Sequence, residues 1–169
     1  FGFFGEDHYG GIDKFALSAL ASITMGEGRN WGSTDSKGLA YSARVEVFPL
    51  GRFHAKGEYI EGDTYFEETP KLMLGGGYSY NHHAMMSRGM SGSILPDTRN
   101  INLYYADMSL KYRGFALNAD FMGRHTSSPV FTGGQPFVYN GAGVNVQASY
   151  LFDRNWEVAL RNSSMIPEG

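Results

Sequence analysis

Residues 103–122 read LYYADMSLKYRGFALNADFM: two alternating runs of about ten residues joined by Arg113-Gly114, with Tyr112 and Phe115 flanking the join. Side chains in a strand point alternately to opposite faces, so Tyr104, Ala106, Met108, Leu110 and Tyr112 fall on one face and Asp107, Ser109 and Lys111 on the other. The second run sets Phe115, Leu117, Ala119 and Phe121 against Asn118, Asp120 and Arg124. A strand that is apolar on one face, long enough to cross a bilayer at a tilt and closed by a tight aromatic-flanked turn is the repeating unit of a transmembrane β-barrel.

The same period of two recurs along the chain and predicts seven strands in all. In residues 14–25 the set Phe15, Leu17, Ala19, Ala21, Ile23 and Met25 opposes Lys14, Ser18, Ser22 and Thr24. In 39–48, Leu39, Tyr41, Ala43, Val45 and Val47 oppose Ser42, Arg44 and Glu46; in 71–81, Leu72, Leu74, Gly76, Tyr78 and Tyr80 oppose Lys71, Ser79 and Asn81. The last two strands, 143–152 and 156–164, set Val144, Val146, Ala148, Tyr150, Phe152, Trp156, Val158 and Leu160 against Asn145, Gln147, Ser149, Glu157, Arg161 and Ser163.

Composition agrees with strands and excludes several alternatives. No run approaches the roughly 18 uninterrupted apolar residues of a membrane helix; residues 15–25 are broken by Ser or Thr at almost every second position. With 23 Gly, 11 Tyr and 12 Phe in 169 residues, turn formers and aromatics dominate. Cysteine is absent, which excludes disulfides and thiolate metal sites. A formal net charge of -3 lacks the basic footprint that nucleic-acid binding needs. The chain starts at Phe1 without a basic n-region or an apolar h-region, so a mature or partial sequence is expected.

Connections alternate between short and long, as in outer-membrane barrels with tight periplasmic turns and extended outer loops. The short ones are Arg113-Gly114 and Asp153-Arg154-Asn155; the long ones, 26–38, 82–100 and 125–142, are expected outer loops rich in Gly, Ser, Asn and Pro. Phe48, Tyr112, Phe115, Phe152 and Trp156 crowd the short-turn ends, as an outward aromatic belt would. Residues 53–61 also alternate, but a spanning strand there would move the later short turns to the wrong side. Residues 52–70 are therefore expected to form one periplasmic-side excursion. Seven strands in lipid leave unpaired edges, each unpaired group costing several kcal/mol or so, and single-chain bacterial barrels have even strand numbers. The chain is expected to be an incomplete piece of a larger barrel.

Several segments together resemble the phosphate-selective porin O and P family of Gram-negative outer membranes. They are MGEGRNW at 25–31, GLAYSARVEVFPLGRF at 38–53, EGD at 61–63, TPKLMLGGGYSYN at 69–81, YADMSLKYRGFALNADFMGR at 105–124, QASYLF at 147–152 and WEVALRNS at 156–163, covering about 15–167 in family order. The resemblance implies an all-β fold, an antiparallel transmembrane barrel of about sixteen strands of which seven or eight lie here, in a protein roughly twice this length. It also implies location in the outer membrane, often as a homotrimer, and diffusion of anions, phosphate among them, or of other small solutes.

The expected pore-lining charges are Lys14, Arg44, Lys71, Lys111, Arg124 and Arg161 against Glu46, Asp107, Asp120 and Glu157, a weak cationic excess in which many partners pair across strands. A general small-solute porin is expected before a phosphate-specific one. The alternative is an outer-membrane barrel serving as scaffold or accessory subunit of a larger envelope complex; a soluble sandwich is third. No metal site is expected: His82 and His83, adjacent in a strand, point to opposite faces, and Glu61, Asp63, Glu67 and Glu68 read as a solvated loop. Gly75-Gly76-Gly77 lies inside a strand and reads as close approach in a curved sheet, not a nucleotide loop. Arg29 and Arg124 stand near outer loop bases, where Glu27 or Asp120 can pair them. No cofactor or catalysis is expected, since Asp107, His125, Ser127 and Ser128 do not place a nucleophile, base and orienting group in one patch.

Overall fold

The computed structural model describes residues 14–26, 38–127, 138–153 and 155–168, and the backbone path of 2–9. Eight strands, β1 (Gly2–Tyr9), β2 (Ala16–Met25), β3 (Leu39–Phe48), β4 (Lys71–Met86), β5 (Ile94–Tyr112), β6 (Phe115–Thr126), β7 (Gly141–Phe152) and β8 (Trp156–Pro167), form one sheet in chain order. Every neighbouring pair is antiparallel, and β1 and β8 are the two edges. The chain is therefore an all-β antiparallel meander. Among the described residues a short 3-10 helix, η1 (His54–Tyr59), is the one helical element.

Register follows hydrophobic parity. Leu17, Val47, Leu74, Met108, Ala119 and Val146 are successive cross-strand partners from β2 to β7, as are Ala19, Val45, Gly76, Ala106, Phe121 and Val144. On the opposite face, Ser18, Glu46, Gly75, Asp107, Asp120, Asn145 and Ser163 run side by side from β2 to β8. A slip of one residue in any pair would mix the two sets. The β5–β6 hairpin is fixed by Arg113 (φ 47°) and Gly114 (φ 85°), two consecutive left-handed residues that match the twist of the flanking strands.

The apolar face is uncovered. Val45, Leu74, Tyr78, Tyr104, Phe121, Val146, Tyr150 and Phe152 are all exposed, and on β8 Trp156 and Leu160 each keep 78% of their surface open. Most of the buried apolar residues described instead make two small clusters, Ala16, Phe48, Phe53 and Met73 at the short-turn end and Ala84, Leu95, Ile101 and Val138 at the other. Phe48 shares parity with Arg44 and Glu46, so it turns toward the polar face and is fully buried, not part of an outward belt.

Three sequence expectations change. The strand at 2–9 went unforeseen because Gly2, Gly5, Glu6, Asp7 and His8 carry no alternation; its order comes from pairing along β2. Residues 82–100 are mostly strand: β4 and β5 continue past register shifts at Asn81 and Ala84, leaving a connection of 87–93 closed by Ser87 N donating to Ser93 O at 2.9 Å. His83 has a left-handed φ of 54° at that irregularity, so the rings of His82 and His83 do not diverge but stack 3.9 Å apart. The loops expected at 26–38 and 125–142, with Glu27, Arg29 and Ser128, lie largely outside the described residues.

Candidate functional site

Residues 52–68 do not extend the sheet; they fold back over its polar face at the short-turn end. Donors on β5, β6 and the turn between them hold the segment. The ammonium of Lys111, 1% exposed, donates to the carbonyl oxygens of Gly57, Ile60 and Gly62, each at 2.6 Å. At the β5–β6 turn, Gly114 N donates to Asp63 Oδ2 at 2.7 Å and Arg113 N to Glu67 O at 2.8 Å. On β6, Asn118 Nδ2 donates to Glu61 O at 2.6 Å.

The segment's own turn is closed by its acids. Asp63 accepts from Glu67 N at 3.0 and 3.1 Å, and the Glu67 carboxylate accepts from His54 N and meets His54 Nδ1, both at 2.7 Å. Asp63 and Glu67 are each 1% exposed, so this half of the acidic cluster is not a solvated loop; backbone N–H groups take the place of water. Glu61 and Glu68 stay exposed. Consecutive left-handed residues Ala55 and Lys56 bend the backbone so that the carbonyls of 57–62 converge on Lys111.

Beyond the segment lies a pair that spans three strands. Arg44 on β3 reaches over β4 to Asp107 on β5 with two bonds of 2.7 Å, while its Nε donates to Glu46 at 2.8 Å. Gly75 makes this possible, because a Cβ there would stand 2.6 Å from both Asp107 carboxylate oxygens and 2.8 Å from Arg44 Nη2. The glycine run thus serves a side-chain crossing. Glu46 is buried and also accepts from Tyr59 OH at 2.7 Å; desolvation of the hydroxyl, followed by this bond, raises Tyr59 above the usual phenol range although its ring is largely exposed. Burial also raises the Glu58 carboxyl above the ordinary glutamate value, against the lowering effect of backbone hydrogen bonding and of Arg52.

Between segment and sheet a pocket of about 240 Å³ remains, bounded by Glu58, Tyr59, Ile60 and Glu61 above and by Asp107, Ser109, Asn118, Asp120, Asn145 and Gln147 below. The ten charges expected to line a pore do not share one environment. Lys111 is buried under the segment, Lys71 is buried and donates to Leu50 O at 3.4 Å, and Arg44, Glu46 and Asp107 form one paired cluster. Asp120 accepts from Asn145 Nδ2 at 2.9 Å, Arg161 Nε donates to Asn145 Oδ1 at 2.7 Å, and Glu157 is exposed beside Gly62. Lys14 is exposed ahead of β2, and Arg124 donates to Ser87 O instead of pairing with Asp120. Parity had already put Asn118, Asn145 and Gln147 on this face; Glu58 and Tyr59 carried no such signal, since their place depends on contacts made by 52–68.

Comparison with known proteins finds no matching family model, no matching curated protein and no matching solved structure.

Proposed function

We propose that this chain is part of an outer-membrane β-barrel porin, passive and cofactor-free, whose polar face lines a water-filled path for small solutes and whose apolar face meets lipid. One observation carries the reading: from β2 to β7 the apolar partners run row upon row across an uncovered face, far more contiguous apolar surface than a soluble monomer exposes. Aromatic spacing supports it. Tyr104 and Tyr112 bound the apolar run of β5 eight residues apart. That is about 26 Å along a strand, or about 20 Å of rise at the usual barrel tilt, close to the apolar band of an outer-membrane barrel. On this reading the open edges of β1 and β8 are continued by further strands, because unpaired edges in hydrocarbon each cost several kcal/mol or so per group.

The wall does not favour phosphate. Lys111 is spent on holding the segment, Lys71 is buried and donates to Leu50 O, and Arg44 is shared by two carboxylates, so much of the cationic excess read from parity is engaged within the wall. Small-solute diffusion past a constricting inward segment fits the face better than anion capture. The test is conductance of the complete protein in planar bilayers: discrete, ohmic steps are expected, and a folded, membrane-inserted preparation without conductance would reject the channel.

A further inference from the structure

Deepening that reading by naming a ligand class, we propose that the pocket between residues 58–61 and the sheet is a subsite for small hydrogen-bond-donating cations, those carrying a primary ammonium or a guanidinium group. Its wall holds four carboxylates, Glu58, Glu61, Asp107 and Asp120, and no Lys or Arg lines it. Most of its donor groups already make one bond: Asn118 Nδ2 to Glu61 O, Gln147 Nε2 to Glu61 Oε2 at 3.2 Å, Asn145 Nδ2 to Asp120, and Tyr59 OH to Glu46. Asp107 is paired with Arg44, and Arg161 and Arg52 stand 3.8 and 4.0 Å from Glu61 and Glu58, so Asp120 and the second oxygen of Glu58 are the acceptors that a donor-rich cation would meet, on a wall of carboxylates that suits an anion poorly.

A second observation points to a ligand. Among the described residues Glu58 Oε2 is buried with no hydrogen-bond partner, and Ser109 Oγ across the pocket is buried and equally unmet. Arg52 Nη1 stands 4.0 Å from Glu58 Oε1, too far to donate a hydrogen bond. A buried carboxylate oxygen without a donor is costly, and a bound ammonium or guanidinium supplies the missing N–H. Among the described residues no three acidic or His side chains converge closely enough to hold a metal ion. The pocket's volume of about 240 Å³ has room for on the order of eight water volumes, enough for a ligand of several heavy atoms.

Methylguanidinium, ethylammonium and inorganic phosphate, titrated separately against the complete protein in detergent micelles with ligand-observed NMR, test the site without using conductance. Saturable binding of the two cations and none of phosphate is expected. Asp120→Asn, at an exposed position that leaves the fold intact, and Glu58→Gln are each expected to weaken cation binding about tenfold. Unchanged affinity in both variants, or phosphate bound as well as the cations, overturns the proposal. Conductance without cation binding would sink the subsite and leave the channel, whereas binding without conductance would do the reverse.

Discussion

Lys111 and Arg161 sit on the same face of the same sheet, placed there by the same alternation, yet they live in different surroundings. Lys111 is sealed beneath residues 52–68 and binds three carbonyls, while the Arg161 side chain is 55% exposed, donates to Asn145 and stands 3.8 Å from Glu61. Parity decides which face a side chain takes; a segment packed on that face decides whether water reaches it. The covered part of the polar face, from β3 to Gln147 and Ser149 on β7, is a small polar core, and the part beyond it on β8 is an open wall.

The difference can be broken most severely at Lys111. Lys111→Ala leaves three converging carbonyls without a donor and the buried acids Asp63 and Glu67 without their nearby cation, so a loss of about 3 to 5 kcal/mol in stability is expected, read by denaturant unfolding in micelles. Substitution by Glu should do at least as much, so it would not report pore charge cleanly. Val146→Arg probes the other face at mid-strand: about 2 to 4 kcal/mol is expected if hydrocarbon covers it, and a neutral result in a refolding assay would mean that lipid does not. The smallest stability effect belongs to Arg161→Glu, expected within about 0.5 kcal/mol of the parent. Its consequence should appear as a reversal potential shifted toward cation preference, and an unchanged potential would place Arg161 off the conduction path.

Much of the sheet was legible in the sequence because period two is local. All seven expected strands are present, and both residue sets of β3 to β8 lie on the faces that alternation assigns. Local pattern failed where backbone irregularity or distance decided the outcome. Left-handed His83 and the shifted register hid the continuation of β4 and β5, and the glycines and charges of β1 hid a strand ordered by its neighbour. The 53–61 alternation imitated a strand, but Lys111 and Asn118 bind its backbone, and Arg113 and Gly114 bind Glu67 O and the Asp63 carboxylate just after it, contacts that no window of sequence contains. For the same reason Lys111 was legible as facing inward and not as buried.

Thiol labelling along β7 tests most directly whether one face meets lipid and the other water; these 169 residues hold no cysteine, and any elsewhere in the complete protein would be replaced first. Single variants Val144→Cys, Asn145→Cys and Val146→Cys, in the complete protein inserted in bilayers, would be exposed to a charged, membrane-impermeant thiol reagent. Rapid modification at 145 with protection at 144 and 146 is expected; equal modification at all three positions would contradict a lipid-facing apolar surface.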